Sequence, residues 1–326
     1  MSASGPAVGM DAPASTDLVC DAPDAEATGT GFGLAGELGW PSHREYGILR
    51  QRGDEVLSQR DEIVEEVPVA LVYNGQPHVV MLATPLDLED FAIGFSLTEG
   101  IVASASEVSS VRVHLRAEGI EVRMRIPQER FEALPGKERN LTGRTGCGLC
   151  GAATLRQAVR HPQPVESGIC VAVTEMRRAL RELGEQQKLN RLTGAVHAAA
   201  WAVPGHGIQV VREDVGRHNA LDKLIGVLAK TRADRSSGFV VVTSRASYEM
   251  VQKCAAAGIG FMAAISAPTG LAIRLAEEAN FTLVGFARGD GHVVYAGAQR
   301  LRGAPSGEDR TRTDRILNGP PRGGRI

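Results

Sequence analysis

Apolar and polar residues alternate in two pairs of short runs, which predict β-hairpins in the first folded part of the chain. The paired strands are expected at residues 67–73 and 78–83, and at residues 108–115 and 120–126. Asn74-Gly75 separates the first pair and is typical of a two-residue hairpin turn, and Glu118-Gly119 separates the second. Between the hairpins, Asp87 is expected to cap a helix over residues 88–98. The pattern predicts a small α+β domain.

The second half of the chain alternates apolar strands with helices. Strands are expected at residues 208–212, 239–243, 260–265 and 281–286, and helices at residues 174–189, 194–201, 219–229, 248–257 and 269–279. Each strand is a nearly continuous apolar run, which is typical of strands that are buried on both faces. The alternation therefore predicts a mostly parallel sheet with helices on both sides, which is an α/β domain.

The two ends of the chain differ from the part between them. Residues 1–43 carry six acidic residues and no Lys or Arg, and they are expected to form a disordered acidic extension. Residues 303–326 are rich in Arg and are broken by Gly and Pro, so a flexible basic tail is expected. Between them we predict a small α+β domain with β-hairpins at residues 44–135, a flexible CxxC loop and linker at residues 136–168, and the α/β domain at residues 169–302.

The composition favours an enzyme and argues against a nucleic-acid or membrane protein. Hydrophobic residues make up 43% of the 326 residues, 38 residues are Gly, and the net charge is −2. A near-neutral chain does not favour a globally basic nucleic-acid binder. No apolar run approaches the roughly 18 residues of a membrane span, and residues 1–39 show no basic and apolar leader pattern. We therefore expect a cytoplasmic protein that binds neither nucleic acid nor membranes.

A glycine-rich segment around two cysteines carries the most distinctive chemistry. Residues 143–151 contain four glycines together with Cys147 and Cys150, and a helix is expected directly after them. Arg144 and the N-terminus of that helix should lower the pKa of the thiols, and the thiolate is the reactive form. Because the chain has five cysteines and no leader pattern, a disulfide framework is not expected.

Three interpretations of this segment stay open from the residues alone. A structural zinc site needs four Cys or His ligands, and only Cys170 and His161 are further candidates. A thioredoxin-like redox pair would follow the first strand of a thioredoxin fold, which the surrounding pattern does not show. A sulfur-carrying nucleophile on a mobile loop fits the glycine density best. Cys170 and Cys254 are themselves expected to be buried and inert.

Polar residues crowd a second segment, residues 213–223, at the end of one strand and the start of a helix. Open α/β sheets bind their ligands at such positions. In the alternative interpretation, Asp214 and Asn219 only cap the helix, while Asp222 and Lys223 lie on an exposed helix face.

Three loops that follow predicted strands are expected to meet at one edge of the sheet. They comprise residues 243–247, 266–269 and 286–291. Hydroxyl groups such as those of Ser244 and Ser247, backbone N–H groups at helix N-termini, and the side chains of Arg245 and Arg288 would together bind phosphate. Neither a GxGxxG nor a Walker motif is present. His197 lies alone in an apolar segment and is expected to be a core residue.

Taken together, these stretches resemble the formate dehydrogenase accessory sulfurtransferase family (FdhD family). The matching stretches are residues 141–151, 193–200, 213–223, 244–253 and 266–289, and they occur in family order. The resemblance covers about residues 45–302 and leaves out only the two ends of the chain. A CxxC alone is a weak signal, whereas this ordered set is specific.

The resemblance implies a homodimer whose larger domain has a three-layer, cytidine deaminase-like α/β fold. It implies that sulfur passes from a cysteine desulfurase to the molybdenum cofactor that carries two guanine dinucleotides, before this cofactor enters formate dehydrogenase. In these terms Cys147 is the persulfide-bearing nucleophile, and Cys150 relays or resolves the sulfur. No structural metal is expected.

The resemblance also implies which residues bind the molybdenum cofactor. The family's cofactor-binding segment corresponds here to Phe286, Ala287, Arg288, Gly289, Asp290 and Gly291. Ser244 and Ser247 are expected to hold the same cofactor, and Asp214, Arg217 and His218 are expected to line the same cleft.

Zinc-dependent deamination, which the implied fold suggests, is not expected because its residues are missing. That chemistry requires His-x-Glu and a later Pro-Cys-x-x-Cys. Here Ala199 stands two positions after His197, Gly146 precedes Cys147, and the CxxC comes before the His. Two other classes remain as alternatives: a non-catalytic carrier of the molybdenum cofactor, and a zinc-stabilised or redox module.

Overall fold

The computed structural model describes residues 39–134, 161–166 and 168–303 of the chain. Within these residues the strands are β1 (His43–Arg52), β2 (Glu55–Val64), β3 (Val67–Tyr73), β4 (Gln76–Ala83), β5 (Ser110–Arg116), β6 (Gly119–Arg125), β7 (Val171–Ala172), β8 (His197–Val203), β9 (Gly207–Asp214), β10 (Phe239–Val242), β11 (Phe261–Ala264), β12 (Thr282–Arg288), β13 (Gly291–Ala296) and β14 (Leu301–Arg302). The helices are α1 (Leu88–Thr98), α2 (Gln128–Glu132), α3 (Val173–Gln186), α4 (Lys188–Thr193), α5 (Arg217–Lys230), α6 (Tyr248–Ala256) and α7 (Gly270–Glu278).

The N-terminal half contains a four-stranded sheet in the order β4-β3-β6-β5, with α1 packed on one face. The pairs β3–β4 and β5–β6 are antiparallel hairpins, whereas β3 and β6 run parallel. Both predicted hairpins are confirmed. At the first turn Asn74 and Gly75 have φ values of 48° and 89°, which Asn and Gly adopt at the least cost. Leu71 and Tyr73 of β3 are fully buried in one cluster with Phe91 of α1.

Helix α1 has the predicted bounds, but its predicted capping bond is absent. Asp87 precedes the helix with a φ of 51°, and its side chain accepts no hydrogen bond from the first turn. The Asp87 carboxylate lies instead 3.4 Å from Nε of Arg212 in β9. A long-range ion pair has thus replaced the local cap that the sequence pattern favours.

The C-terminal half is built on a six-stranded sheet in the order β13-β12-β11-β10-β8-β9. Only the pairs β10–β11 and β11–β12 are parallel, and the other three pairs are antiparallel. The sheet is therefore mixed, and the prediction of a mostly parallel sheet is wrong. The predicted alternation of strands and helices from β9 to β12 is confirmed.

Two of the antiparallel pairs arise at residues 194–201, which were expected to form an Ala-rich helix and instead contain most of β8. The third involves β13, a strand that was not predicted. Successive residues of β8 are buried on opposite faces of the sheet: Ala198 and Ala200 on one, Ala199 and Trp201 on the other. Alanine has a high helix propensity, but small side chains also allow helices to pack closely on both faces of a central strand. Tertiary packing therefore overrides the local preference.

Helices cover both faces of this sheet. Helix α3 packs on one face through Met176, Ala179 and Leu183, in a cluster with Phe239 and Phe261. Helices α5, α6 and α7 pack on the other face. The result is a three-layer arrangement in which α5, α6 and α7 follow β9, β10 and β11 in the chain.

The two sheets are joined by a close crossing of α1 and α5. A Cβ atom on Gly94 would overlap the backbone oxygen of Asp222, and one on Gly226 would overlap the backbone oxygen of Asp90. Only glycine allows the two helix backbones to approach so closely. Each half of the molecule therefore presents a helix to the other.

Strands β1 and β2 form a separate antiparallel hairpin, which the sequence pattern did not predict. The remaining predictions for the ends of the chain and for its middle segment fall on residues 1–38, 135–160, 167 and 304–326, which lie outside the described residues. Among the described residues, no helix is long and apolar enough to cross a membrane.

Candidate functional site

Three loops lie side by side at the edge of the sheet where β10, β11 and β12 end. The Ala246 N–H donates to the Ala267 carbonyl at 3.2 Å, and the Thr269 N–H donates to the Ala246 carbonyl at 3.1 Å. The Phe286 N–H donates to the Ser266 carbonyl at 3.1 Å. The predicted meeting of the three loops is therefore confirmed, because parallel strands bring their C-terminal ends to the same edge.

The two serines of the first loop have different environments. Ser244 is buried, and its hydroxyl donates to the Arg245 carbonyl at 3.0 Å. Ser247 occupies the N-cap position of α6, but its side chain makes no capping bond. Its Oγ lies instead 3.3 Å from Nε2 of His218, in the first turn of α5. Ser247 thus connects the N-termini of two helices.

His218 is a buried, uncharged imidazole at neutral pH. Burial lowers its pKa below the usual value of 6.5, although the Glu249 carboxylate, 3.6 Å from Nε2, acts in the opposite direction. Burial would raise the pKa of Glu249, but hydrogen bonds from His218, from its own backbone N–H and from Ser247 lower it to about 2. Glu249 is therefore ionised. The sequence analysis did not identify it, because it lies 31 positions from His218 in the chain.

Two further side chains lie beside His218 at this edge. His197 begins β8 and is partly buried, and its pKa is lowered by burial and by the charge of Arg217. It was expected in a helix core and stands instead at a strand end. Arg217 opens α5, and its Nε is buried without a hydrogen-bond partner among the described residues.

Helix N-termini, which carry partial positive charge, also lie at this edge of the sheet. Neither α5 nor α6 has a side-chain cap, so their first N–H groups are not satisfied by a capping side chain. Helix α7 is capped, since Thr269 Oγ1 accepts from the Ala272 N–H at 3.3 Å. At the start of α6, however, the Glu249 carboxylate accepts from its own backbone N–H, and the Met250 N–H donates to the Ser247 carbonyl at 3.1 Å. The N-terminus of α5, which begins with the basic residue Arg217, is therefore the part of this edge that suits an anion.

The predicted cofactor-binding segment forms the end of β12, a turn and the start of β13. Phe286 is 40% exposed with a φ of 49°, and Ala287 is buried. The other residues of the segment are exposed, namely Arg288, Gly289, Asp290 and Gly291. The last paired residue of β12 with β11 is Val284, so the segment projects beyond the neighbouring strand.

Three residues of the second polar segment, Asp214, Asn219 and Lys223, are buried and structural, which neither sequence interpretation expected. Asp214 and Lys223 are fully buried and form an ion pair of 2.7 Å. Lys223 Nζ also donates to the carbonyl of Thr84 at 3.0 Å, and the Thr84 N–H donates to Asp214 at 3.0 Å. Asn219 donates to Asp214 at 2.9 Å and to the Leu82 carbonyl at 2.8 Å. This network connects the two sheets, and Asp214 does not line the cleft.

A second buried network was also missed. Asp222 was expected on an exposed face, but it is buried and accepts from Lys253 Nζ at 2.9 Å and from Thr98 Oγ1 at 2.7 Å. Lys253 Nζ also lies 3.1 Å from Glu99. These partners come from α1, α5 and α6, so only the tertiary structure reveals them.

The remaining cysteines do not all behave as expected. Cys254 is buried, as predicted, and burial raises the pKa of its thiol. Cys170 is exposed, so the prediction that it is buried is wrong; it comes just before β7, at the start of the described C-terminal half. Cys147 and Cys150, the predicted catalytic residues, lie outside the described residues together with Arg144.

A groove of about 770 Å³ lies at the opposite end of α6 from Ser247. Thr98, Gln252 and Ala255 line it. Arg130 and His161 line it as well. In the sequence, these two residues precede and follow residues 135–160, which lie outside the described residues. The groove is thus separate from the edge where β10, β11 and β12 end, which we call the strand-end site.

Comparisons with known proteins agree along most of the chain. The model of the FdhD/NarQ family matches residues 64–302. A protein of Cupriavidus necator named sulfur carrier protein FdhD is 54% identical over 268 residues, which cover 82% of this chain and 93% of that protein. Proteins of the same name from Xanthomonas euvesicatoria and Bordetella petrii are 52% and 50% identical, over 78% and 79% of this chain and 90% and 94% of their own lengths.

A solved structure supports the fold. A protein of Desulfotalea psychrophila, provisionally described as a formate dehydrogenase accessory protein, matches with a TM-score of 0.63 at 24% identity. The match covers 80% of this chain and all of that one. On these findings, the chain belongs to the FdhD/NarQ family.

Proposed function

We propose that this protein is a sulfurtransferase for formate dehydrogenase. It takes persulfide sulfur from a cysteine desulfurase and delivers it to the molybdenum cofactor with two guanine dinucleotides. The relatives with about half of their residues identical are named sulfur carrier proteins, and this chain has two cysteines, Cys147 and Cys150, in a glycine-rich CxxC segment. The structural observation that carries the proposal is the strand-end site, where the uncapped N-terminus of α5 begins with Arg217.

The chemistry assigned to Cys147 is a thiol exchange. The Cys147 thiolate attacks the terminal sulfur of the donor persulfide, the sulfur–sulfur bond of the donor breaks, and the desulfurase thiolate leaves. Cys147 then carries the terminal sulfur as a persulfide. The Cys150 thiolate attacks the inner sulfur of that persulfide, which forms a Cys147–Cys150 disulfide and releases the terminal sulfur as sulfide for the cofactor. The sulfur atoms of Cys147 and Cys150 supply the two electrons that reduce the released sulfur to sulfide, and they are left oxidised as the disulfide.

The strand-end site is proposed to hold the nucleotide ends of the molybdenum cofactor, which is the cargo. Backbone N–H groups of α5 and the hydroxyls of Ser244 and Ser247 would face the phosphates, and Arg288 would add a charge-assisted hydrogen bond. The exposed ring of Phe286 offers a stacking surface for a guanine base. Ala287, Gly289, Asp290 and Gly291 complete the segment. The anion-binding character of this edge supports the assignment.

The wider context belongs to the same proposal. We propose a cytoplasmic homodimer whose C-terminal half, residues 169–302, has the cytidine deaminase-like arrangement, which the three layers support. The smaller domain would span residues 44–135. Formate dehydrogenase is the proposed recipient of the cofactor.

The test begins with sulfur loading. The protein is incubated with a cysteine desulfurase and cysteine, and its intact mass is measured without reductant, followed by peptide mapping. In Cys150→Ala, which blocks discharge of the persulfide, we expect a gain of one sulfur atom on the Cys147 peptide. We expect no gain when Cys147→Ala is added, and an unchanged gain when Cys170→Ser, which removes an exposed thiol elsewhere, is added instead. The mechanism would be refuted if neither the desulfurase nor an inorganic persulfide donor added sulfur to the Cys147 peptide.

The relatives' name also suits a second candidate, a non-catalytic carrier that only binds and delivers the molybdenum cofactor. The anion-binding edge is compatible with it, because cargo binding needs no thiol. This candidate requires Cys147→Ala to keep both cofactor binding and activation of formate dehydrogenase. The sulfurtransferase requires the same variant to keep binding and to lose activation.

A further inference from the structure

The hairpin of β12 and β13 contains a β-bulge within the predicted cofactor-binding segment. Its register shifts between Gly285 and Arg288, where two residues of β12 lie opposite one residue of β13. The two residues are Phe286 and Ala287. A bulge bends its strand and changes the direction in which side chains point, and bulges are frequent beside functional sites. The irregularity therefore determines how the segment presents its side chains.

The backbone at Phe286 is strained. Its φ of 49° lies in the left-handed region, which a residue with a bulky side chain adopts only at a cost. Such a backbone persists only where the surrounding structure holds it in place. One restraint is the Phe286 N–H, which donates to the Ser266 carbonyl at 3.1 Å. Further restraints come from a helix that packs against the hairpin.

Helix α3 supplies two of these restraints. Ala287 is buried in one apolar cluster with Met176 and Ala179 of this helix. Next to Met176 in the chain, Arg177 donates a hydrogen bond from its guanidinium group to the Asp290 carbonyl in the turn of the hairpin. The apolar cluster thus holds the bulge, and the arginine holds the turn beyond it.

The Arg177 side chain also lies close to a second residue of the hairpin. His292, near the start of β13, is partly buried, and both burial and the positive charge of Arg177 lower the pKa of its imidazole. Arg177 is itself partly buried, and its Nε has no hydrogen-bond partner among the described residues. Arg177 therefore acts on the hairpin at two points, the turn and the start of β13.

We propose that Arg177 is a positioning residue of the strand-end site. Through the Asp290 carbonyl it holds the turn of the hairpin, and it thereby fixes the direction in which Phe286 and Arg288 meet the cargo. The role rests on the proposed function in one respect, namely that this segment binds the nucleotide ends of the molybdenum cofactor. Arg177 does not touch the cargo itself. The sequence analysis did not identify it, because it lies 113 positions from Asp290 in the chain.

The first test measures how firmly the turn is held when no cargo is present. Amide hydrogen exchange of the full-length protein is followed by mass spectrometry. In Arg177→Gln we expect residues 286–292 to exchange about tenfold faster, because the turn opens locally more often, and residues 244–253 to exchange as before. Arg178→Gln is the matched control, since the Arg178 guanidinium pairs with Glu182 of the same helix at 3.2 Å. It should leave both segments unchanged.

The second test measures cargo binding by calorimetry, with guanosine diphosphate as the probe. We expect Arg177→Gln to bind it about fivefold more weakly than the unmodified protein, the effect of losing one hydrogen bond. Arg178→Gln should bind it as the unmodified protein does. A residue that acts through the turn has less effect once a side chain that it positions is removed. In a protein that already carries Arg288→Gln, the effect of Arg177→Gln should therefore be smaller.

Several results would overturn the proposal. Arg177→Gln could match the Arg178→Gln control in exchange or in affinity, or it could destabilise the whole C-terminal sheet, which would make its role generally structural. An undiminished effect in the Arg288→Gln background would make Arg177 a direct contact of the cargo. An unmodified protein that does not bind guanosine diphosphate would refute the cargo site together with this role. Sulfur loading of Cys147 is measured on the same samples, so failure of the sulfur transfer is a separate outcome.

Discussion

The Nε2 atom of His218 lies 3.3 Å from Oγ of Ser247 and so ties the first turn of α5 to the N-cap residue of α6. The two residues are 29 positions apart in the chain. Because Ser247 Oγ is engaged by His218, it does not cap α6, and the Met250 N–H in the first turn of that helix donates to the Ser247 carbonyl instead. The contact therefore fixes the N-termini of two helices relative to each other at this edge of the sheet.

The first prediction concerns pH. Burial holds the pKa of His218 in the folded protein below its usual value of 6.5. This imidazole therefore binds a proton more readily in the unfolded chain than in the folded protein. Stability should accordingly be full above about pH 6.5 and fall as the pH drops through about 6.5 and below. His218→Gln should flatten the fall in melting temperature between about pH 7 and pH 5. His206→Gln, which removes an exposed imidazole, should leave the profile unchanged.

The second prediction concerns the buried ion pair of Asp214 and Lys223. Asp214→Ala leaves the ammonium group buried without its counter-charge, which should lower the free energy of unfolding by about 3–5 kcal/mol. The exposed pair of Lys230 and Glu89, 3.3 Å apart, is the control, and Glu89→Ala should cost at most about 1 kcal/mol. Urea denaturation measures both values. Equal effects of the two substitutions would contradict the structural role of the buried pair.

The third prediction concerns the crossing of α1 and α5. Gly226→Ala forces a methyl group into the backbone of Asp90 and should destabilise the protein by about 1–3 kcal/mol. Gly184→Ala is the matched control in α3, where an added Cβ meets nothing within 4 Å. It should be neutral or stabilising by up to about 1 kcal/mol, because alanine restricts the unfolded chain. Thermal unfolding of the two variants side by side decides the question.

The fourth prediction concerns the strand-end site. A guanosine diphosphate fragment of the proposed cargo should bind the purified protein in calorimetry, and Arg288→Gln should weaken it about tenfold. Arg125→Gln changes an exposed arginine of β6, in the other sheet, and should bind as the unmodified protein does. Equal affinities of the Arg288 and Arg125 variants would remove Arg288 from the site.

Local patterns in the sequence were sufficient for several elements. The Asn74-Gly75 turn identified its hairpin because few residues adopt positive φ at low cost. The apolar runs of β10, β11 and β12 indicated buried neighbouring strands, and their shared direction brought the loops at Ala246 and Pro268 together as expected. These predictions held because each depends on backbone preference or on a general property of parallel strands.

Other features depended on partners that are distant in the chain. Residues 197–203 have the composition of a helix and form a strand, because β9 and β10 flank them and helices cover both faces. Asp222 and Lys223 have the residue types of an exposed face and are buried, because Lys253 and Asp214 satisfy their charges. No local pattern carries that information.

The sequence by itself determined the family, the candidate cysteines at positions 147 and 150, and the loops that meet at the strand ends. These follow from residue types and short spacings, which are properties of the chain alone. The tertiary structure decided which polar residues serve the site and which hold the two halves together. Burial and ion pairing depend on residues that folding brings together across more than a hundred positions, as with Thr84 and Asp214. Local sequence patterns carry no information about contacts over such distances.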